Sequence, residues 1–381
     1  MAGVTLQLAP MQLTKLSFRL CGLAGLLLGT LLTGWLTLHQ GLSPWIELRL
    51  IAVAVGTLLA TPLVIKVFTG RDSFVFYRDA ICIFAAVSLT LRWMHQPLLP
   101  YLDVTIAGAG IFHACGRIGC LLAGCCFGRP CRLGVRYRHA HAQMGFPSAL
   151  VGVRLFPIQS VEAVWILGLV GSVVLLFLRQ GGPGSPFAFY VSAYAAGRFF
   201  FEFARGDAER PYWRGFSFPQ WTSLLLAACV AAFASAHAIP HSNLHSGVAA
   251  FLALTMLSVA VVRRCQGTRR SQLLCSRHTY QMAEALQSPA LFVGGSLPEI
   301  NVSETFLGIR ISAGEVPTDG RTVHHYCLSR RGVALSLDDA RRLALQISRL
   351  RHDGAPFTLS EGRFGFAHII VRGSQAFSPT R

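Results

Sequence analysis

Charged side chains are scarce in this sequence. Asp, Glu, Lys and Arg make up 13% of the 381 residues, about half of the roughly 25% found in soluble domains. Hydrophobic residues account for 52%, and the mean hydropathy is +0.49. The composition therefore excludes an ordinary soluble protein for most of the chain and predicts segments that lie in lipid.

Acidic residues and lysine are both rare. The chain has 17 Asp and Glu against 34 Lys and Arg, and its only lysines are Lys15 and Lys66. A basic balance can indicate nucleic-acid binding, but the charges here lie in short loops between apolar segments, so we expect no nucleic-acid partner. Anionic membrane lipid is the more natural partner, because the guanidinium group matches a phosphate with a rigid fork of donors.

Apolar runs long enough to cross roughly 30 Å of hydrocarbon recur along the chain. They predict an all-α polytopic membrane bundle of seven transmembrane helices, with an eighth as a candidate. The predicted spans lie near residues 17–39, 49–68, 75–94, 102–123, 159–178, 186–204 and 218–238, and the eighth candidate covers residues 246–262.

The composition changes after the last apolar run. We predict a transmembrane domain over residues 1–265, a basic linker over 266–276 and a small soluble α+β domain over 277–381. In the last region "FLGIRIS" and "GFAHIIVRG" are typical of strands. No metal, nucleophile or phosphate motif is evident there, so the role of this region is not predicted.

One amphipathic helix is predicted within this C-terminal region, in "LSLDDARRLALQISRLRHDG". Ser336 is its candidate N-cap, and Gly354 follows its end. The neighbouring His324 and His325 are expected to be strand residues rather than metal ligands.

Charged residues interrupt the sixth apolar run, in "AYAAGRFFFEFARGDAERP". On a helix, Tyr194, Arg198, Glu202 and Arg205 would fall at positions i, i+4, i+8 and i+11, on one face. Such a stripe is costly in a membrane unless it is paired or faces a cavity. An ion pair that only locks two helices together is the alternative, but the stripe is larger than a lock requires.

Polar residues also stand at the ends of two other spans. Arg117 and Gly128 belong to "GRIGCLLAGCCFG" at the end of the fourth span, and Gln159 and Glu162 begin the fifth. If these groups converge with the stripe, they form a cavity that holds guanidinium groups, carboxylates and an amide. Arginines in such a cavity would grip a lipid phosphate and stabilise it as a leaving group.

Several cysteines surround Arg117. Cys115, Cys120, Cys125, Cys126 and Cys131 are separated by four residues or adjacent, which is borderline for zinc, because zinc ligands usually pair as C-x2–4-C. A structural metal and a redox pair at Cys125 and Cys126 are alternatives. We favour small residues in a tight turn, and expect neither a metal nor another cofactor.

Four segments resemble the bacterial prolipoprotein diacylglyceryl transferase family in order and approximate spacing, over about residues 15–240. They are "GRIGCLLAGCCFG", "FPIQSVEA", "GRFFFEFARGDAERP" and "SFPQWTSLL". The resemblance implies a multi-pass protein of the bacterial inner membrane. It would move the diacylglyceryl group of phosphatidylglycerol to the lipobox cysteine of a secreted preprotein.

The resemblance also implies roles for individual residues. Catalytic roles would fall to Arg198, Glu202 and Tyr77, and substrate-binding roles to Arg117, Gly128, Gln159, Glu162, Tyr194 and Arg205. The chain departs from the family pattern where Tyr77 replaces a histidine that would help to activate the acceptor thiol, and tyrosine is a poor base because its unperturbed pKa is about 10. His113, one turn before Arg117, could substitute. The alternative function is a non-catalytic or repurposed anionic-lipid-binding membrane protein of the same fold.

Overall fold

The computed structural model describes residues 11–70, 75–208, 210–266, 272–287, 290–291, 301–318, 321–362 and 365–372. The long helices in this part of the chain are α1 (Met11–His39), α2 (Pro44–Thr69), α3 (Phe76–Trp93), α4 (Leu98–Ala123), α6 (Ile158–Leu178), α7 (Ser185–Ala204), α8 (Phe218–Ser235) and α9 (Asn243–Gln266). A short helix, α5 (His139–Ala142), lies in the loop between α4 and α6.

Six of the described helices are long and apolar enough to cross a membrane, namely α1, α2, α4, α6, α8 and α9. The predicted multi-pass helical architecture is confirmed, and α9 corresponds to the eighth candidate. Helices α3 and α7 have 18 and 20 residues but are outside this set of six. The predicted number of spans is therefore not confirmed.

The ends of two helices are set by proline, glycine and a capping side chain. Helix α2 begins with Pro44 in its first turn and is capped by Gly70, whose φ of 67° is left-handed; glycine adopts this conformation without a steric penalty. Helix α8 starts with a capping box, in which the side chain of Gln220 accepts a hydrogen bond from the backbone N–H of Ser217 at 3.0 Å.

Helix α4 is the centre of the bundle and packs closely against α1. A Cβ atom added at Gly29 would lie 2.7 Å from the carbonyl oxygen of Gly108, and one added at Gly108 would lie 2.4 Å from Thr33. Small residues allow this approach of two backbones, which is the usual way that helices associate in lipid. The contact fixes α4, and with it Arg117, within the bundle.

The loop between α4 and α6 contains β1 (Pro130–Arg136) and β2 (Arg154–Leu155), which pair antiparallel. A second small hairpin, β3 (Tyr212–Trp213) and β4 (Phe216–Ser217), connects α7 to α8. Both hairpins lie at the end of the bundle where α4 ends and α6 begins.

In its described residues, the C-terminal region contains helices and a mostly antiparallel sheet. Its elements are α10 (Ser276–Ala285), β5 (Ala290–Leu291), β6 (Ser303–Glu304), β7 (Ile309–Thr318), β8 (Arg321–Arg330), α11 (Leu337–Arg351), β9 (Thr358–Glu361) and β10 (Ala367–Arg372). The strand order is β5-β7-β8-β10-β9, with β6 on β7. Helix α11 begins at the predicted cap, because the Ser336 hydroxyl accepts from the N–H of Asp339 at 3.3 Å. His324 and His325 lie in β8.

His352 follows α11 and is held by the sheet. Its Nε2 atom lies 2.7 Å from the Tyr326 hydroxyl. Burial lowers the pKa of His352 to about 4, and His324 and Arg351 act in the same direction.

The C-terminal region shares a hydrophobic core with the loop between α4 and α6. Tyr137 and Leu155 of that loop belong to the same buried cluster as Ile311 and Leu343. The Ser276 hydroxyl also donates to the carbonyl oxygen of Arg205 at 3.2 Å. The predicted boundaries at residues 265 and 277 remain a prediction, but this packing puts the region at the bundle end where α4 and α7 finish.

Candidate functional site at one end of the helix bundle

The polar residues predicted from three separate segments meet at one end of the bundle. Arg117 lies near the end of α4, Glu162 near the start of α6, and Arg198 and Glu202 near the end of α7. Each of these four side chains is buried. The expected convergence of the three segments is thus observed.

Glu162 is the central carboxylate of this cluster. Its Oε1 atom lies 3.1 Å from Nη2 of Arg117 and 3.9 Å from Nε of Arg198. The Tyr194 hydroxyl donates to the same oxygen at 2.9 Å. One carboxylate therefore fixes two guanidinium groups from different helices, and Tyr194 holds the carboxylate in place.

A second carboxylate, Glu202, lies one turn after Arg198. Its Oε1 atom is 2.6 Å from Nη1 of Arg198, and its Oε2 atom contacts Arg210. Arg210 is also 3.1 Å from the carboxylate of Asp207. The ion pairs thus continue from the helix into the loop that follows it.

Arg205 corrects one part of the prediction. Helix α7 ends at Ala204, and Arg205 has the extended backbone angles φ −68° and ψ 141°, so it does not continue the helical stripe. Its Nε and Nη2 atoms instead donate to the two carboxylate oxygens of Asp207 at 2.8 and 3.0 Å. The side chain is buried within the cluster, although through the loop rather than the predicted helical face.

Among the described residues, the cluster holds more positive than negative charge. Four arginines (Arg117, Arg198, Arg205 and Arg210) face three carboxylates (Glu162, Glu202 and Asp207). Within the described residues, three guanidinium nitrogens of the cluster and one carboxylate oxygen are buried and make no hydrogen bond, namely Nε and Nη1 of Arg198, Nη2 of Arg210 and Oε1 of Glu202. Buried donors are rarely left without a partner, so the excess charge and the unused donors both favour binding of an anion.

Sequence analysis did not single out Arg210 and Asp207. Both lie in "ARGDAERP", directly after the charged stripe. The alternating positive and negative residues after Arg205 were the sequence feature that could have indicated these two ion-pair partners. The pKa of the Asp207 carboxyl is lowered despite burial, because the guanidinium of Arg205 binds it and Arg210 adds to the effect.

Gly128 lies where two chain segments cross. Its N–H donates to the carbonyl oxygen of Phe156 at 3.1 Å, and Gly206 donates to that of Phe127 at 2.9 Å. A Cβ atom added at Gly128 would be 2.4 Å from the Phe156 oxygen, closer than any side chain tolerates. The described contacts of Gly128 are with the protein backbone, and they bring the loop after α4 against the end of α7.

Gln159 holds the turn after α4. Its Nε2 atom donates to the carbonyl oxygen of Cys125 at 2.7 Å and lies 3.4 Å from the Tyr137 hydroxyl. The Tyr137 hydroxyl in turn donates to the carbonyl oxygen of Leu121 at 3.1 Å. The start of α6 is thereby tied to the end of α4, one turn away from Glu162.

Tyr77 lies beside the cluster on α3. Its hydroxyl is 2.7 Å from the Ser223 hydroxyl of α8, and its ring is 6.1 Å from that of Tyr194. Ser223 belongs to the quoted segment "SFPQWTSLL" but was not singled out from the sequence. The predicted catalytic role of Tyr77 stays a prediction.

His113 packs between the cluster and α3. Its ring stacks on Phe76 with centroids 3.8 Å apart. Its Nε2 atom accepts a hydrogen bond from Nε of Arg117 at 3.3 Å and is 3.9 Å from Glu162. Because this nitrogen already accepts a bond from Arg117, the arrangement favours a positioning role for His113.

Three of the cysteines around Arg117 come together. The sulfur atoms of Cys120, Cys125 and Cys126 all lie within 4.8 Å of one another. Cys126 has a φ of 56°, an uncommon left-handed conformation for a side-chain-bearing residue. Hydrogen bonds from the other two thiols lower the pKa of Cys126, and the positive charges of Arg205 and Arg117 act in the same direction.

Comparison with known proteins identifies the region that contains this cluster. Residues 18–235 match the family described as prolipoprotein diacylglyceryl transferase. The chain is similar to proteins named phosphatidylglycerol–prolipoprotein diacylglyceryl transferase from Clostridium tetani, with 28% identity over 161 residues, and from Dehalococcoides mccartyi, with 30% identity over 142 residues.

These similarities are partial in length. The first covers 42% of this chain and 62% of the relative, and the second covers 37% and 53%. A protein of Clostridium perfringens whose name carries the number 2 is 31% identical over 32% of this chain and 45% of its own length. The chain thus spans about half to three fifths of the curated relatives that it matches.

Proposed function

This chain belongs to the prolipoprotein diacylglyceryl transferase family, and we propose that it transfers the diacylglyceryl group of phosphatidylglycerol to the lipobox cysteine of a preprotein. The proposed location is the bacterial inner membrane. A bond forms between the acceptor sulfur and a glycerol carbon, the bond from that carbon to the phosphate oxygen breaks, and glycerol phosphate leaves. The acceptor proton passes to solvent.

The observation that carries this proposal is the buried excess of positive charge at one end of an apolar bundle. As the carbon–oxygen bond breaks, negative charge grows on the phosphate. Preorganised guanidinium groups placed where charge develops lower the barrier, because they need no reorganisation during the reaction. We assign phosphate binding to Arg117 and Arg198, with Arg205 supporting them.

The carboxylates act through the arginines in this proposal. Glu162 fixes Arg117 and Arg198, and Glu202 fixes Arg198. Without these partners the guanidinium groups would be free to turn away from the lipid. Glu162 and Glu202 are therefore proposed as positioning residues, and Tyr194 positions Glu162.

Gln159, Gly128 and Tyr77 complete the proposed site. Gln159 and Gly128 hold the turn after α4 against α6 and α7 and so shape the wall that faces the head group. A tyrosine hydroxyl ordinarily stays protonated near neutral pH. We therefore propose that Tyr77 donates a hydrogen bond toward the substrate rather than acting as a base.

The test uses purified full-length protein with phosphatidylglycerol vesicles and a peptide that contains a lipobox cysteine. The expected result is a mass increase of the peptide by one diacylglyceryl group. Arg198→Ala is expected to abolish it, because the phosphate loses one of its two assigned guanidinium partners. Arg310→Ala serves as the matched control, since Arg310 is an exposed arginine paired with Glu304 in the C-terminal region.

Two outcomes would contradict the proposal. The first is a wild-type protein that binds phosphatidylglycerol vesicles and modifies no lipobox peptide, the result expected of a non-catalytic lipid-binding protein. The second is an Arg198→Ala variant that transfers as fast as Arg310→Ala.

A further inference from the structure

We propose that Cys120, Cys125 and Cys126 bind a soft metal ion such as Zn²⁺ through three thiolates, and that its fourth coordination position takes the thiol of the acceptor. The role of the fourth position rests on the function proposed above. The metal site itself rests on the arrangement of the three sulfur atoms.

The distances fit one tetrahedral ion. Zinc binds cysteine sulfur at about 2.3 Å, so three sulfurs on one ion lie about 3.8 Å apart. The three sulfur atoms already lie within 4.8 Å of one another.

The backbone explains why a sequence spacing that is borderline for zinc can form such a site. Helix α4 ends at Ala123 and is capped by Gly124, whose φ of 78° is left-handed. The chain then bends back, so that the N–H of Cys125 donates to the carbonyl oxygen of Cys120 at 3.2 Å. Cys126 follows with its left-handed φ of 56°. The turn that ends the helix therefore collects a cysteine of its last turn and the two that follow.

The turn is also held from outside. Gln159 binds the carbonyl oxygen of Cys125 at 2.7 Å. A rigid support for the ligands is what a metal site requires, because it fixes their positions before the ion binds.

Charge and access favour an open site beside the arginine cluster. Three thiolates and one Zn²⁺ carry a net charge of −1, and Arg117 lies about one turn before Cys120 on α4. Cys125 is exposed, whereas Cys120 and Cys126 are partly buried. A fourth ligand can therefore approach from the side of Cys125, and a catalytic zinc site characteristically keeps one such position open.

An open coordination position here would provide a way to deprotonate the acceptor thiol. Tyr77 stands where the family pattern has a histidine, and Nε2 of His113 already accepts a hydrogen bond from Arg117. A thiol that coordinates the ion loses its proton, which passes to solvent water. The bound sulfur then forms its bond to the glycerol carbon, the electron pair of the broken carbon–oxygen bond leaves with glycerol phosphate, and the metal keeps its oxidation state.

The first measurement is metal binding by the full-length reduced protein in detergent, without lipid. We expect about one equivalent of Zn²⁺ that resists dialysis, and a sulfur-to-cobalt charge-transfer band with Co²⁺. Cys120→Ser, Cys125→Ser and Cys126→Ser are each expected to lose both. Cys229→Ser is the control, because Cys229 is an exposed cysteine on α8, and it should retain both. Equal metal content in all five proteins would overturn the site.

The second measurement adds a lipobox peptide to the cobalt-loaded protein. The cysteine peptide is expected to shift the absorption bands, and a peptide with serine in its place is not. Cobalt absorption bands that do not shift when the cysteine peptide is added would overturn the assignment of the fourth position to the acceptor thiol. These experiments separate the two proposals: a protein that binds metal and thiol but transfers nothing contradicts the transferase, whereas transfer at full rate by metal-free protein contradicts this inference alone.

Discussion

Replacing Glu162 by glutamine removes the carboxylate that Arg117 and Arg198 share while keeping the size of the side chain. Two buried guanidinium groups then lose a common counter-charge. The Tyr194 hydroxyl can still donate to the amide oxygen, so the loss is one of charge more than of hydrogen bonding.

The distances give the magnitude. At separations of 3.1 and 3.9 Å, an effective dielectric constant of about 20 gives attractions of about 5 and 4 kcal/mol. Much of this attraction is offset by the cost of burying the charges, and breaking a buried pair is known to cost about 3–5 kcal/mol. We expect Glu162→Gln to lower the free energy of unfolding by that amount. Transfer should fall by about 100-fold or more, because misplaced guanidinium groups no longer meet the phosphate.

The assay is denaturant unfolding of the purified protein in detergent, together with the peptide transfer reaction. Glu304→Gln is the matched control, since Glu304 is 36% exposed and pairs with Arg310 on the surface. An exposed pair contributes about 0–1 kcal/mol. Equal losses of stability in the two variants would refute the central position of Glu162.

Three further predictions concern other parts of the molecule. Gly128→Ala is expected to lower the free energy of unfolding by about 1–3 kcal/mol, because the new Cβ would lie 2.4 Å from a carbonyl oxygen. Gly22→Ala is the control: a Cβ there has no atom within 4 Å, so its stability should be unchanged or higher. Thermal melting of the two variants makes the comparison. His352 has a folded-state pKa of about 4, below its unfolded value of about 6.5. Its contribution to stability is therefore complete above pH 6.5 and is lost as the pH falls toward 4, by up to about 3 kcal/mol; the unfolding of His352→Gln should lack this slope, and an unchanged slope would contradict the assignment. Tyr77→Phe is expected to lower kcat about 100-fold with KM unchanged, while Ser223→Ala keeps most activity, and equal kinetic losses in both variants would show that the pair is only structural.

The part of the site that could be predicted from the sequence lies on regular helices. Arg198 and Glu202 are one turn apart on α7, and helical periodicity alone places them together. For Arg117 and Glu162 the prediction was only conditional: if the ends of their spans converge with this stripe, the polar groups form one cavity. Their contact at 3.1 Å meets that condition.

The part that could not be predicted depends on where the helices stop. Helical periodicity extended the predicted polar face to Arg205, one residue beyond the helix, because sequence spacing does not show that α7 ends at Ala204. The chain then turns, and the same turn brings Asp207 and Arg210 into the cluster. The contacts among the cysteine thiols depend in the same way on the left-handed turn at Gly124.

The C-terminal region was predicted as a separate unit because its composition changes abruptly. Its amphipathic pattern predicted the helix α11, and Ser336 caps that helix as predicted. The core shared with the loop between α4 and α6 was not predictable, because it joins Tyr137 to residues such as Ile311 that are far apart in the chain. Long-range packing of this kind has no signal in local sequence pattern.

Complementation in cells tests the central claim most directly. The full-length gene would be expressed in a bacterial strain depleted of its own prolipoprotein diacylglyceryl transferase, and lipidation of a reporter preprotein would be measured. The account predicts that wild-type protein and Arg310→Ala restore lipidation and growth, whereas Arg198→Ala restores neither. Failure of the wild-type protein, expressed in the membrane at normal levels, would contradict it, as would restoration by Arg198→Ala.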